Sequence, residues 1–164
     1  MRIRRPDAVS LAFMLKRLKS HLRITANDLD EELMAKLTAS IDSAEHFIGK
    51  IILKSDFIDT IPFSSIVALC RPLISVDGIK VDDTTVAVEN YEVDRFSATV
   101  AFSDQIDGKV VNVEYSAGME QVPSDIVNAI LLMASSLFAN PMDSVETLPK
   151  ASSMLLRPYR TYEL

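Results

Sequence analysis

The hydrophobic period of this chain changes twice along its length, from helical spacing to alternation and back. Few folds accommodate that order. Leu11, Met14, Leu15, Leu18 and Leu22 recur at steps of three and four between Ser10 and Leu22, with Lys16, Lys19 and Arg23 on the other side, which predicts an amphipathic helix. Thr25, Asn27 and Asp28 then offer side-chain oxygens to the free amides of a second helix, and Asp30, Glu31 and Glu32 suit its first turn. Its stripe runs through Leu29, Leu33, Leu37, Ile41, Ala44, Phe47 or Ile48, and Ile51, and Gly49 is the expected terminator. After Pro62 the period becomes two. Short runs rich in Val, Ile, Thr and aromatics (66–69, 74–79, 85–88, 91–93, 98–102 and 110–115) are separated by Asp77-Gly78, Asp82-Asp83, Glu89-Asn90 and Asp107-Gly108. Gly118 and Pro123 close this β region, and Ser124 opens a third helix to about Phe138.

That third helix carries Ile126, Ile130, Met133 and Leu137 on one side and Val127, Leu131, Ala134 and Phe138 on the next, so nearly its whole circumference is apolar. Such a helix has to be covered all round. Either a second subunit supplies part of the cover, through Val127, Leu131, Ala134 and Phe138, or the chain wraps the helix by itself. Asn140-Pro141 stops it, and Ala151 to Leu156 suggests one more short helix. The expected fold class is α+β: a small helical core of three to four helices with an antiparallel β region inserted between the second and third. As one domain over 1–164, its parts are N-terminal helices at 8–55, the β region at 62–118, a core helix at 123–140 and a C-terminal segment at 150–164.

With 48% hydrophobic and 24% charged residues, a chain of 164 residues has the balance of an ordinary globular domain rather than a disordered one. Cys70 is the single cysteine, which excludes an internal disulfide framework and suits a reducing compartment. The start of the chain does not read as a secretory signal, because Lys16-Arg17 cuts its apolar run short, and the longest apolar stretch, Ile126 to Ala139, is too short to cross a bilayer. The expected chain therefore has no membrane segment.

Chemistry is hard to place. Gly49, Gly78, Gly108 and Gly118 are the four glycines, and no two of them make a phosphate-cradling motif. His21 and His46 lie on different expected helices, and no His or Cys cluster has metal-ligand spacing. The acids at 28–32 sit where helix starts prefer carboxylates, and Asp82-Asp83 reads as a turn. Cys70 beside Leu69 reads as a small buried hydrophobe. A hydrolase using a serine or Cys70 finds no supporting motif, so neither an enzyme, a cofactor nor a metal is expected. Charge is more suggestive: residues 1–23 carry seven cations and one anion (net +6), whereas the remainder carries ten cations and 22 anions (net −12). Arg2, Arg4 and Arg5 are candidate phosphate contacts, and a DNA-binding packaging factor using this basic arm is the alternative function.

The order of three segments is informative: LKSHLRITANDLDEELMAKLTASIDSAEHFIGK (18–50), VNVEYSAGMEQVPSDIVNAILLMASSLFANP (111–141) and LLRPYR (155–160). Together they resemble the head-tail connector (adaptor) proteins of tailed bacteriophages, often labelled possible DNA-packaging proteins, in a longer branch with an inserted β region. The resemblance implies a structural head-completion protein of a phage or prophage. Its copies form a ring, commonly of twelve, that docks on the portal and extends the DNA channel toward the tail. Implied partners are further copies of itself, the portal, a tail-side stopper or tail-completion protein, and DNA passing without sequence reading. The implied location is the virion neck, reached from the bacterial host cytoplasm during assembly. Leu155, Leu156, Arg157, Tyr159, Arg160 and Tyr162 are the expected portal-docking residues, since aromatics and arginines anchor interfaces. An acidic body suits a channel that must not hold phosphates.

Overall fold

The computed structural model describes residues 1–140 and 149–161, and the chain forms two compact units. One is built from residues 1–7 and 53–120, the other from 8–52 and 121–164. The mixed α+β class and the placement of strands between the second and third helices agree with the sequence.

The helical unit contains α1 (Ala8–Leu22), α2 (Asp30–Ile48), α3 (Ser124–Ala139) and α4 (Lys150–Leu156). Met14 and Leu18 bury the inner stripe of α1, and Leu33, Leu37, Ile41, Ala44 and Ile48 bury that of α2. Arg23, in the left-handed region at φ 58°, ends α1, with the Ile24 amide returning to the Lys19 carbonyl at 2.9 Å. The start of α2 departs from expectation. Leu29 is its N-cap and no side chain caps it; the Asn27 side-chain oxygen instead accepts a hydrogen bond from the Lys19 ammonium at 2.7 Å. Lys19 also pairs with Asp30, tying the end of α1 to the beginning of α2. Gly49 terminates α2 as expected, at φ 72°. The carbonyl of Ile48, left over at the helix end, accepts the Thr161 amide at 2.9 Å, and the Arg160 guanidinium lies 5.3 Å from the centre of the Phe47 ring. The C-terminal segment is thus a strap on α2.

The sheet unit holds eight strands. Five form one sheet in the order β1 (Arg2–Pro6), β2 (Ser55–Pro62), β8 (Val110–Ala117), β4 (Leu73–Val81) and β5 (Thr84–Thr85); three form another in the order β3 (Ile66–Ala68), β7 (Thr99–Phe102) and β6 (Tyr91–Asp94). Strand pairings within these sheets run antiparallel. Two strands lie outside the stretch whose period suggested a sheet: β2 precedes Pro62, and β1 turns the supposed basic arm into a paired strand. Asp82 and Asp83 make the expected turn, both with positive φ, as a two-residue hairpin demands. Asp77-Gly78 does not separate strands; it lies within β4, where the pairing with β8 shifts register.

Gly118, at φ 138°, follows β8 where a Cβ would stand 2.6 Å from the Lys54 Cα. Gly49 also has a positive φ, but a Cβ there would meet only Thr161, at an ordinary contact distance of 3.8 Å. Gly118→Ala is therefore expected to destabilise the protein by at least about 2 kcal/mol, against about 1 kcal/mol for Gly49→Ala, as read from urea midpoints by circular dichroism.

Candidate functional site

Three places in the two units gather the residues singled out by sequence. The first is a buried polar cluster across β1, β2 and β8. Pairing register puts Arg2 opposite Asp59, and Phe57 between Arg4 and Tyr115. The Arg2 Nε and Nη2 atoms each donate to one Asp59 oxygen at 2.7 Å, a bidentate fork of the stronger, charge-assisted kind. The Asp59 side chain is 1% exposed and that of Arg2 51%. The Tyr115 hydroxyl donates to the second Asp59 oxygen at 2.8 Å and accepts the Cys70 backbone amide at 3.3 Å. Burial, first, and then hydrogen bonding with the Cys70 side chain and Asp59 hold Tyr115 ionisation well above the ordinary phenol range, with the Cys70 backbone amide acting in the opposite direction. Tyr115 is therefore a neutral donor at any working pH. Its ring stacks on Phe57 at 5.2 Å, and the Arg4 guanidinium lies 5.9 Å from the Phe57 ring centre while its Nε donates to the Ser55 hydroxyl at 3.0 Å.

Arg2 and Arg4 are thus engaged in fastening β1 to β2, Arg2 while still half open to water; Arg5, also exposed, stands outside this cluster. Arg5 points to the other side of the strand, toward a shallow depression of about 200 Å³ on the outer face of the five-stranded sheet, lined also by Ile3, Ile58, Asp56, Asp77 and Glu114. This is the second place.

The third is the helical unit. Val127, Leu131 and Ala134 are buried within the chain itself and Phe138 is half-buried, so α1, α2 and α4 supply much of the cover that α3 requires. The Ser152 hydroxyl, also buried, donates to the Ala129 carbonyl at 3.2 Å and fixes α4 against α3. On α3 the exposed large apolar residue is Leu132; Val9 and Phe13 on α1 and Met154 on α4 are exposed as well. Among the C-terminal residues Leu156 is buried, Leu155 and Tyr159 are half-buried, Arg157 and Arg160 are exposed, and Tyr162 lies outside the described residues.

Cys70 is half-buried and His21 and His46 are exposed on separate helices. Among the described residues no group of His, Cys, Asp or Glu is arranged to hold a metal ion, and no helix is long and apolar enough to cross a membrane. Sequence reasoning missed Asp59 and Tyr115. The one signal was an acid at an inward position of an alternating stretch, Phe57-Ile-Asp59-Thr-Ile61.

No family model matches the chain, and no curated protein matches it by sequence. Solved structures do match by shape. A chain in the neck of an empty gene transfer agent particle, computed with C6 symmetry, superposes with a TM-score of 0.79 at 19% identity, over 100% of this chain and 97% of the other. A chain in the neck of the native particle, computed with C12 symmetry, gives 0.77 at 19%, and one in the native virion gives 0.78 at 18%, both over the same shares of the two chains. The present chain has the fold of those chains from end to end.

Removing Arg2 leaves the Asp59 carboxylate buried without its cation. Because water reaches Arg2, the cost falls below the range for fully buried pairs: Arg2→Ala is expected to lose about 2 kcal/mol, whereas Arg5→Ala changes stability by less than about 0.5 kcal/mol. Equal urea midpoints for the two variants would remove Asp59 from its structural role.

Proposed function

We propose that this protein is a structural, non-enzymatic component of the neck of a phage or phage-like particle, a head-tail connector whose copies form a ring between portal and tail. The observation that carries the reading is the end-to-end fold match to chains in gene transfer agent necks. The twelvefold and sixfold symmetries with which those necks were computed support a closed ring of identical copies, twelve in the finest form of the proposal. A ring of this kind is built by a heterologous contact, in which one patch of each copy meets a different patch of the next.

The chemistry of the chain is consistent with such work. Connectors act by complementary surfaces, and the buried polar network around Asp59 serves to hold strands together. The acidic balance of residues 24–164 suits a wall that duplex DNA must slide past, because like charge discourages phosphate adhesion. Portal docking is assigned to the C-terminal strap through the exposed Arg157 and Arg160 with Tyr159 and Tyr162. Leu155 and Leu156 then act from beneath, since Leu156 is buried and Leu155 half-buried. The ring contact on the helical unit falls to the edge of α3 at Phe138 and Leu132, with Val127, Leu131 and Ala134 supporting it from the interior. A DNA-binding packaging factor has less support, because Arg2 and Arg4 are already engaged by Asp59, Ser55 and Phe57.

The test is co-sedimentation and negative-stain microscopy of the full chain with portal rings encoded by the same genetic element. The expected result is a second ring stacked on the portal, with binding lost when Arg157 and Arg160 are both changed to Glu. A chain that stays monomeric and never binds portal, or one that instead binds duplex DNA in a salt-sensitive manner through Arg5, contradicts the proposal.

A further inference from the structure

The residue most at odds with a lone soluble chain is Phe96. It is 98% exposed, at the tip of the hairpin that joins β6 to β7. A single exposed apolar side chain is ordinary by itself; what surrounds this one is not. The Asp94 carboxylate accepts the backbone amides of Phe96 and Ser97, at 2.8 and 3.3 Å, and the Ser97 hydroxyl at 2.7 Å. The Ser97 and Thr99 hydroxyls are 2.8 Å apart. On the other side of the tip, Ala98 is fully buried in the left-handed region at φ 53°, with its carbonyl accepting the Leu69 amide at 2.8 Å. A left-handed residue is common where a short hairpin loop rejoins its strand, and here it helps to fix the backbone of the tip. The backbone of the tip is therefore held in place with Phe96 projecting from it, so that docking has only the two side-chain torsions of the ring left to order.

We propose that Phe96 is the anchor by which one copy grips the next, its ring seated in the depression on the outer face of the neighbour's five-stranded sheet, with Arg95 meeting the acids there. The two patches are different, as a head-to-tail contact requires, and both lie in the sheet unit. They are also complementary. Ile3, 39% exposed, and Ile58 give the depression an apolar floor, and Asp56, Asp77 and Glu114 outnumber Arg5 around it. The carboxylate of Asp94 is occupied by its own hairpin, so Arg95 is the charge that the tip offers. The favoured occupant is a second copy rather than an unrelated protein, because this chain itself carries both halves. The inference rests on the ring reading and names its contact.

The test places the photoreactive amino acid p-benzoylphenylalanine at position 96 of the full chain. An equal mixture of isotope-labelled and unlabelled copies is irradiated with portal rings present, and the linked peptides are mapped by mass spectrometry. Links from one copy to another copy's peptides containing Ile58 or Glu114 are expected. Phe96→Ala is expected to raise the concentration needed for assembly about tenfold or more, with an unchanged urea midpoint, and Phe96→Tyr to restore it. If Phe96→Ala assembles like the unaltered chain, or if the links fall on the portal or on other segments, this contact is overturned while the ring stands. If the unaltered chain does not assemble even on portal rings, ring and contact fall together.

Discussion

A carboxylate with no access to water organises the sheet unit. Asp59 sits on β2 between β1 and β8, and each neighbour supplies what an ion in that position needs: a guanidinium from one side, a phenol hydroxyl from the other. Desolvating a carboxylate is expensive unless its oxygens are hydrogen-bonded and its charge is matched. The pairing of Arg2 opposite Asp59 is thus enforced by energy as well as by backbone register. A one-residue slip of β1 would turn Arg2 to the other face. Through Tyr115 the same requirement reaches the amide of Cys70, at the entrance to β4, so the N-terminal strand, the centre of the sheet and the beginning of its far side share one network.

The helical unit solves a different problem with the same thrift. Its third helix is apolar almost all round, and most of that circumference is covered by the chain's own helices. All-round apolarity therefore does not by itself require a second subunit. The proposal of a ring rests instead on the fold shared with neck chains, and its proposed contact on an exposed aromatic far from that helix in sequence.

The helices were legible because their stripes are long and regular: Leu33, Leu37, Ile41 and Ile48 keep one face over about four turns, and Gly49 and Asn140 mark ends by backbone chemistry. Strands β4, β6, β7 and β8 were legible from alternation, although Asp77-Gly78 reads as punctuation and is a bulge. The two strands that were missed share a cause. Arg2–Pro6 carries cations at the positions that face inward, and β2 carries Asp59 at one, so the ionic pair that joins them erases the apolar alternation by which strands are recognised. At the C-terminus the Arg and Tyr content suits an interface and is visible in the sequence, whereas the tether that holds the segment on α2, the Thr161 amide on the Ile48 carbonyl, joins residues far apart in the chain and has no local signature. Phe96 escaped notice for the same reason, since nothing in Asp94-Arg-Phe-Ser97 tells a buried ring from a displayed one.

A neck component does its work by position, and position is what the account claims. The most direct measurement is cryo-electron microscopy of the intact particle encoded by the element that carries this gene, with the neck reconstructed and the chain traced into its density. The account predicts a continuous ring of this chain around the DNA axis, between the portal and the first tail-side protein. A neck fully explained by other chains, with this one absent from the purified particle by mass spectrometry, would contradict it.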